Sequence, residues 1–171
     1  MKKYDTFLPR LLAIILDTVL LLPLFILDDL AEKYALSISA SYAIKTATSF
    51  AGVFYFILLH YFFGQTVGKM LMKVKVLDVS EKPLRFIQAV LRDFPQLLIT
   101  IVFLVFGDPE FFFSGEYKAA QFAVNPVGNI FYVLLLVWGI ADIIVFLRNE
   151  KRRALHDFVA GSVVVRIESD A

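Results

Sequence analysis

Residues 10–27 read RLLAIILDTVLLLPLFIL, a nearly continuous apolar stretch that begins with an arginine and contains one acidic residue, Asp17. A helix needs about 20 mostly apolar residues to cross the hydrocarbon core of a bilayer. The composition agrees, because 59% of the 171 residues are hydrophobic and 19% are charged, whereas a soluble domain carries about 25% charged residues. The sequence therefore predicts a polytopic membrane protein and excludes a soluble globular domain.

Three further apolar stretches follow the first one. The third is short by itself, and it gains length if residues 83–93 form a helix that continues into it, with Pro83 at the first helical position. The first stretch differs from a cleaved signal peptide, because Arg10 and Asp17 lie at or inside its apolar core. The predicted transmembrane spans are about 8–28, 46–63, 89–107 and 129–148.

The lysines and arginines predict the orientation of these spans. All but three of the 17 lie before or at the start of the first apolar stretch, between the second and third stretches, or at the end of the fourth and beyond it; the exceptions are Lys33, Lys45 and Lys118. An excess of lysine and arginine marks the cytoplasmic side of a membrane protein. A three-span arrangement would place one basic segment outside, so we expect four spans with both termini in the cytoplasm. The expected location is the plasma (inner) membrane of a bacterium.

Two short segments have the character of β-strands. Residues 73–76 read KVKV, and SVVVRI follows at 162–167, with the alternation and β-branched content of strands. Two separate strands would each expose an unpaired edge, so we expect a small cytoplasmic β pairing of about 72–79 with 162–167.

The remaining connections complete the predicted fold. Residues 149–160 are expected to form a helix that ends at Gly161. The outer loop, residues 108–129, is expected to lie along the membrane interface. The predicted fold is an all-α membrane protein with four transmembrane helices and one small β pairing, in a single domain over residues 1–171.

Ionisable and polar groups inside the spans are the candidate functional residues, because a charged side chain costs a few kcal/mol at the centre of a bilayer. Asp17 follows Arg10 by seven residues, which places both on nearly the same helix face. Asp142 should lie at nearly the depth of Asp17, since the two spans run in opposite directions. Thr100 falls at a similar level, and His60 is shallower.

Two interpretations of these residues remain open. Carboxylates at one depth can bind a monovalent cation or share a proton, because two nearby negative charges cannot both ionise cheaply. Alternatively the groups only hold the helices together, with Arg10 neutralising Asp17 and with Asp142 protonated or bonded to Thr100. His60 fits either an accessory ligand or an interfacial residue.

Several other functions are not predicted. GQTVGK at 64–69 is one residue short of a phosphate-binding P-loop, and Met70 stands where that motif needs serine or threonine. Two histidines and no cysteine argue against a transition-metal site, and His156 with Asp157 lacks the partners of a metal hydrolase. A net charge of +1 gives no basic field for nucleic acid. We therefore expect no enzyme, no cofactor and no metal.

The chain resembles the RDD family of small membrane proteins, which is named for an Arg at the start of the first span, an Asp within it and a further Asp. Arg10 and Asp17 match the opening, GQTVGK at 64–69 matches a central segment, and KRRALHD at 151–157 with AGSVVV at 160–165 matches the closing pattern. The matching motif residues are Arg10, Asp17, Gly64, Gln65, Thr66, Gly68, Lys69, His156, Asp157 and Gly161.

The third family aspartate is assigned to Asp157, with Asp93 and Asp142 as alternatives. Asp157 follows a basic cluster, and it is expected to cap a helix or to pair with Lys69. That cluster, formed by Arg148 and the basic residues of 151–153, is explained by topology and would also suit anionic lipid at the cytoplasmic face.

The resemblance implies a membrane protein, and some relatives are associated with sodium/proton exchange while others are assembly modules. The first hypothesis is therefore monovalent cation or proton transport by a homo-oligomer. In it Asp17 and Asp142 bind the ion, Arg10 tunes the pKa of Asp17, and Thr100 or His60 is accessory. The alternative is a membrane assembly or scaffold protein without transport, in which the buried charges fix helix packing.

Overall fold

A computed structural model describes residues 3–34, 37–106 and 126–167 of the chain. Helices make up most of these residues, and the two strands form one small sheet. In chain order the elements are α1 (Phe7–Lys33), α2 (Ile38–Phe63), α3 (Val67–Leu71), β1 (Val74–Asp78), α4 (Phe86–Phe106), α5 (Pro126–Arg148), α6 (Leu155–Val159) and β2 (Ser162–Arg166).

Within the described residues, two helices are long and apolar enough to cross a membrane. The 25-residue stretches Phe7–Ala31 in α1 and Ser39–Phe63 in α2 meet both criteria, and little of either is buried within the protein. A core helix of a soluble protein would instead be mostly covered, so the exposed apolar surface of α1 and α2 is that of helices immersed in lipid. The second helix begins eight residues earlier than predicted, after Ser37, whose side chain accepts a hydrogen bond from the backbone N–H of Ala40.

The long helices contact one another unequally. Helix α1 packs against α2 and α3, α2 packs against α4, and α4 and α5 both pack against the short helix α6. Near its C-terminal end α5 also reaches the start of α1, where the ring centroids of Phe7 and Phe146 lie 5.7 Å apart. The short elements α3 and α6 therefore join helices at the end of the bundle where α1 begins.

The predicted β pairing is confirmed. Strands β1 and β2 are antiparallel, with Val74 opposite Arg166 and Asp78 opposite Ser162. Val74, Val76 and Val164 are buried together with Leu84 in a small apolar core. The chain's N-terminal segment covers the other side of β2, since the Arg166 backbone N–H donates to the Lys3 carbonyl. The outer edge of β2 is therefore partly protected.

The helix predicted over residues 149–160 is wrong in extent, because only Leu155–Val159 is helical. The Asn149 side chain accepts hydrogen bonds from the backbone N–H groups of Lys151 and Arg153. Arg152 has a positive φ of 49°. These local bonds form a turn in place of the first helical turns.

The start of the third long helix also differs from the prediction. Helix α4 begins at Phe86, so Pro83 lies outside it. Asp78 accepts the backbone N–H groups of Ser80 and Lys82, which fixes a turn directly after β1. The predicted interfacial loop, residues 108–129, falls largely outside the described residues.

Candidate functional site

Asp17 is buried in the first half of α1 and accepts three hydrogen bonds. Its Oδ2 accepts from the Thr66 hydroxyl at 2.5 Å, and its Oδ1 accepts from the Tyr55 hydroxyl at 2.7 Å and the Gly68 backbone N–H at 2.8 Å. This carboxylate therefore joins α1 to α2 and to the N-terminal end of α3.

The expected pairing of Arg10 with Asp17 is wrong. Within the described residues the Arg10 guanidinium donates to Asp157 and not to Asp17. The two residues do share a face of α1, but seven residues separate them by about 10 Å along the axis. Asp157 approaches Arg10 directly from the tail, while Asp17 is occupied by its own three donors.

The close approach of α3 to α1 depends on Gly68. A Cβ atom at this position would lie 2.2 Å from the Ala13 carbonyl oxygen and 2.9 Å from the Asp17 Cγ. Thr66 adds a second link, because its hydroxyl donates to Asp17 and also accepts the backbone N–H of Lys69 at 3.3 Å. The GQTVGK segment is therefore an anchor for α1, which explains two of its motif residues without a phosphate ligand.

Gly64 and Gln65 connect the same segment to the sheet. Gly64 ends α2 with a left-handed conformation (φ 68°), and its carbonyl accepts the Val76 backbone N–H at 2.7 Å. The Gln65 side chain donates to the Val74 carbonyl at 3.0 Å. The turn at Gly64 thus reverses the chain at the end of α2 and returns it toward α1.

Asp157 is fully buried between two arginines. Its Oδ2 accepts from Arg10 at 2.8 Å, and its Oδ1 accepts from Arg92 and from the Ser162 hydroxyl. Burial would raise the pKa of Asp157, but the positive charges of Arg92 and Arg10 outweigh it and hold this pKa well below its usual range. Its Oδ2 also accepts the backbone N–H of Ala154, so the predicted helix cap is confirmed.

The expected pairing of Asp157 with Lys69 is wrong, since Arg10 and Arg92 hold the carboxylate. Arg10 donates in addition to the Arg152 carbonyl at 3.0 Å. Arg92 donates in addition to the Ser162 hydroxyl at 2.8 Å. This cluster therefore joins α1, α4, α6 and β2 around one carboxylate.

Asp142 lies on α5 and holds His156 of α6. The Asp142 Oδ1 is 2.9 Å from the His156 Nδ1 and 3.2 Å from the backbone nitrogen of the same residue. The Nδ1–H therefore points to Asp142, and the His156 Nε2 lies 3.4 Å from the Arg92 guanidinium. Thr100, the expected partner, is buried on α4, and the hydrogen bonds to Asp142 within the described part of the chain come from His156 instead.

Asp17 and Asp142 accordingly have different hydrogen-bond partners. Asp17 is bonded to the α2–α3 connection, whereas Asp142 is bonded to α6. A shared proton between these two carboxylates finds no hydrogen-bonded connection among the described residues.

A third cluster contains His60, Asp93 and Lys69. Asp93 and Lys69 are not among the residues predicted to bind an ion or a proton. The His60 Nδ1 is 2.7 Å from Asp93 Oδ2 on α4, and its Nε2 is 2.5 Å from the Lys69 ammonium on α3. Only 1% of the His60 surface is exposed, so this side chain faces the protein interior. While Lys69 is an ammonium it can only donate, so in that state the Nε2 accepts and the Nδ1–H donates to Asp93.

Lys69, in this third cluster, is a buried lysine whose pKa is lowered. Burial, together with the nearby charge of Arg92, lowers the pKa of Lys69 to about 7. The negative charge of Asp93 opposes that shift. The glycine at 64 is a sequence signal that could have indicated this arrangement, because the chain reversal there returns Lys69 toward the last turn of α2.

Taken together, the fold and these clusters define a class: a membrane protein with apolar helices whose buried charges gather at one end. The chain belongs to the RDD family, whose sequence model matches residues 4–161. No curated protein and no solved structure is significantly similar to the chain. Within the described residues, no group of three or more His, Asp or Glu is placed to hold a metal ion.

Proposed function

We propose that α4 and α5 also cross the membrane, so that four spans place both termini in the cytoplasm of a bacterium. Helices α4 and α5 have 21 and 23 residues, lengths that match a hydrocarbon core about 30 Å thick. Helix α5 exposes apolar side chains around most of its surface, as a lipid-facing helix does. The distribution of lysine and arginine supports the same orientation.

We propose that this protein exchanges protons for a monovalent cation, and that the proton is handled by Asp93, His60 and Lys69. The observation that carries the proposal is the continuous hydrogen-bonded chain from Lys69 through His60 to Asp93, buried among three helices. Ionisable chains of this kind are typical of proton pathways in membrane proteins.

The proton moves in one concerted step. The Lys69 ammonium gives a proton to the His60 Nε2 while the His60 Nδ1–H passes its proton to Asp93. Lys69 becomes a neutral amine, Asp93 becomes a neutral acid, and His60 stays neutral with its proton on the other nitrogen. The Asp93 side chain is 14% exposed, which gives the proton an exit.

The cation is assigned to Asp142 rather than to Asp17. The oxygens of Asp17 accept three protein hydrogen bonds, whereas the Asp142 Oδ2 has no partner within the described residues. The Asp142 side chain is 23% exposed, and carboxylate oxygen suits a hard cation. A single bundle is small for alternating access, so the path is proposed to form in a homo-oligomer.

The test is proton flux in proteoliposomes driven by sodium, potassium or lithium gradients. We expect cation-dependent flux in the wild type, at least tenfold less in His60→Gln and Lys69→Met, and wild-type flux in Lys82→Gln, an exposed lysine on the turn after β1. Absence of flux from the wild type with all three cations over a range of pH would overturn the proposal.

A second candidate function is a membrane assembly protein that transports nothing. The saturated Asp157 cluster supports it, since that cluster fixes the packing of four elements and leaves the sheet and tail as a rigid face. A pull-down that retains one stoichiometric partner, from a protein without measurable flux, would favour this function.

A further inference from the structure

We propose that α3 is embedded in the lipid leaflet in which α2 ends, with Val67, Met70 and Leu71 in contact with acyl chains. The inference concerns this short helix alone, and it holds whether or not the protein transports ions. The exposed apolar side chains of α3 are covered by the phospholipid of that leaflet. It would make the GQTVGK segment a re-entrant element that leaves the membrane and returns into it.

The depth of α3 is given first by α1. The Gly68 backbone N–H donates to Asp17, which lies ten residues after Phe7 and therefore about 15 Å along the helix from the start of the apolar stretch. The 25-residue stretch is about 37 Å long, so it exceeds a 30 Å core by about 4 Å at each end. Asp17, and with it Gly68, lies about 11 Å inside the hydrocarbon boundary.

Helix α2 gives a second estimate of the same depth. The Val67 backbone N–H donates to the Tyr55 hydroxyl at 3.1 Å, and Tyr55 lies eight residues before Phe63, the end of α2. That separation is about 12 Å along the axis, or about 8 Å inside the boundary after the same overhang. The two spanning helices therefore agree that α3 begins within the hydrocarbon region.

The backbone of α3 satisfies the condition that lipid imposes on such a segment. A helix in water can leave its first N–H groups to solvent, but lipid offers no partner for them. In α3 the first three N–H groups all donate to protein side chains: Val67 to Tyr55, Gly68 to Asp17 and Lys69 to Thr66.

The side chains of α3 also divide into a buried set and an exposed apolar set, as expected for a helix at the protein–lipid boundary. Gly68 and Lys69 are buried against the protein, whereas Val67, Met70 and Leu71 are 37%, 39% and 61% exposed. Phe62 and Phe63, at the end of α2 that precedes this segment, are exposed apolar residues as well. Lys73 follows α3 and is exposed, so its ammonium can reach the headgroup level while α3 stays below it.

The experiment uses the absence of cysteine from the chain. Full-length protein carrying a single spin-labelled cysteine is reconstituted into phosphatidylcholine liposomes, and collision rates with oxygen and with a water-soluble nickel chelate are measured. The test variants are Leu71→Cys and Val67→Cys, which replace exposed side chains. The references are Phe54→Cys, exposed in the middle of α2, and Ser80→Cys, on the turn after β1.

We expect Leu71→Cys and Val67→Cys to resemble Phe54→Cys, with an oxygen-to-nickel collision ratio about tenfold above that of Ser80→Cys. Lys73→Cys should give an intermediate ratio. Ratios at positions 67 and 71 that equal the ratio of Ser80→Cys would place α3 in water and overturn the proposal. Thermal unfolding of each labelled variant, compared with that of the wild type, shows whether the fold is retained.

Discussion

At the scale of single residues, one buried aspartate balances two arginines, the buried Arg92 and the largely buried Arg10. Asp157 receives Arg10 from α1 and Arg92 from α4, and it caps α6 at the same time. Removing one member of a buried ionic group is costly because the remaining charges stay buried without a counter-ion. The protein should therefore depend on Asp157 far more than on an exposed aspartate.

We predict that Asp157→Asn lowers the free energy of unfolding by about 3–5 kcal/mol, since the amide leaves two arginines uncompensated. The matched control is Asp5→Asn, an exposed residue, which should change it by less than about 0.5 kcal/mol. Thermal unfolding in detergent at pH 7 measures both. Equal stability of the two variants would mean that the arginines have other counter-ions.

Lys69 makes a different prediction, which concerns pH. The pKa of this lysine is about 7 in the folded protein and about 10.5 in the unfolded chain. Between these values the unfolded state holds a proton that the folded state has lost, so this group makes stability rise with pH by up to about 1.4 kcal/mol per pH unit.

The melting temperature of the wild type minus that of Lys69→Met should therefore become more positive as pH rises from 7 to 10. Lys82→Met, which removes an exposed lysine, should show no such trend. The measurement is thermal unfolding in detergent at several pH values. A constant difference for Lys69→Met would show that folded Lys69 stays charged throughout this range.

At the scale of elements, the contact between α3 and α1 is set by the lack of a side chain at Gly68. Backbone atoms of α1 stand where a Cβ would go, and a helix backbone cannot move aside as a flexible side chain can. The hydrogen bond from Gly68 to Asp17 depends on that approach.

We predict that Gly68→Ala costs about 1–3 kcal/mol or more, because the methyl group pushes α3 away from Asp17. Gly52→Ala, within α2, is the control: apart from its chain neighbours and the adjacent backbone of its own helix, no described atom lies within 4 Å of the added Cβ, and alanine favours the helix by about 0.5–1 kcal/mol. Unfolding of both variants in detergent tests this. A neutral Gly68→Ala would contradict the close packing of α3.

At the scale of the whole molecule, the buried charges join the two ends of the chain. Arg10 and Asp157 are 147 positions apart and in direct contact, while Arg10 and Asp17 share one helix and have different partners. The packing of the tail against α1 should therefore be energetically coupled across the entire sequence.

A double-mutant cycle measures that coupling. Arg10→Gln combined with Asp157→Asn should deviate from additivity by about 0.5–3 kcal/mol, since the side chains touch. Arg10→Gln combined with Asp17→Asn should be additive within about 0.5 kcal/mol, because they lie about 10 Å apart. Additivity for Arg10 with Asp157, together with non-additivity for Arg10 with Asp17, would instead identify Asp17 as the partner of Arg10.

The sequence alone determined the class of protein and most of its local structure. Apolar stretches of sufficient length predicted helices immersed in lipid. The alternation at 73–76 and the β-branched run at 162–167 predicted a strand pairing, which the structure contains with Val74 opposite Arg166. The motif residues predicted the family. These features depend on composition and on neighbours a few residues apart, which a sequence displays directly.

Only the tertiary structure decided which charges meet. Helix periodicity predicted that Arg10 and Asp17 face the same way, but Asp157 takes the arginine, and Asp17 is held by α3. The chain Lys69–His60–Asp93 joins three helices through the reversal at Gly64. Electrostatic partners are selected by distances of a few ångström, and those distances depend on how turns direct whole helices, which periodicity along the chain does not specify.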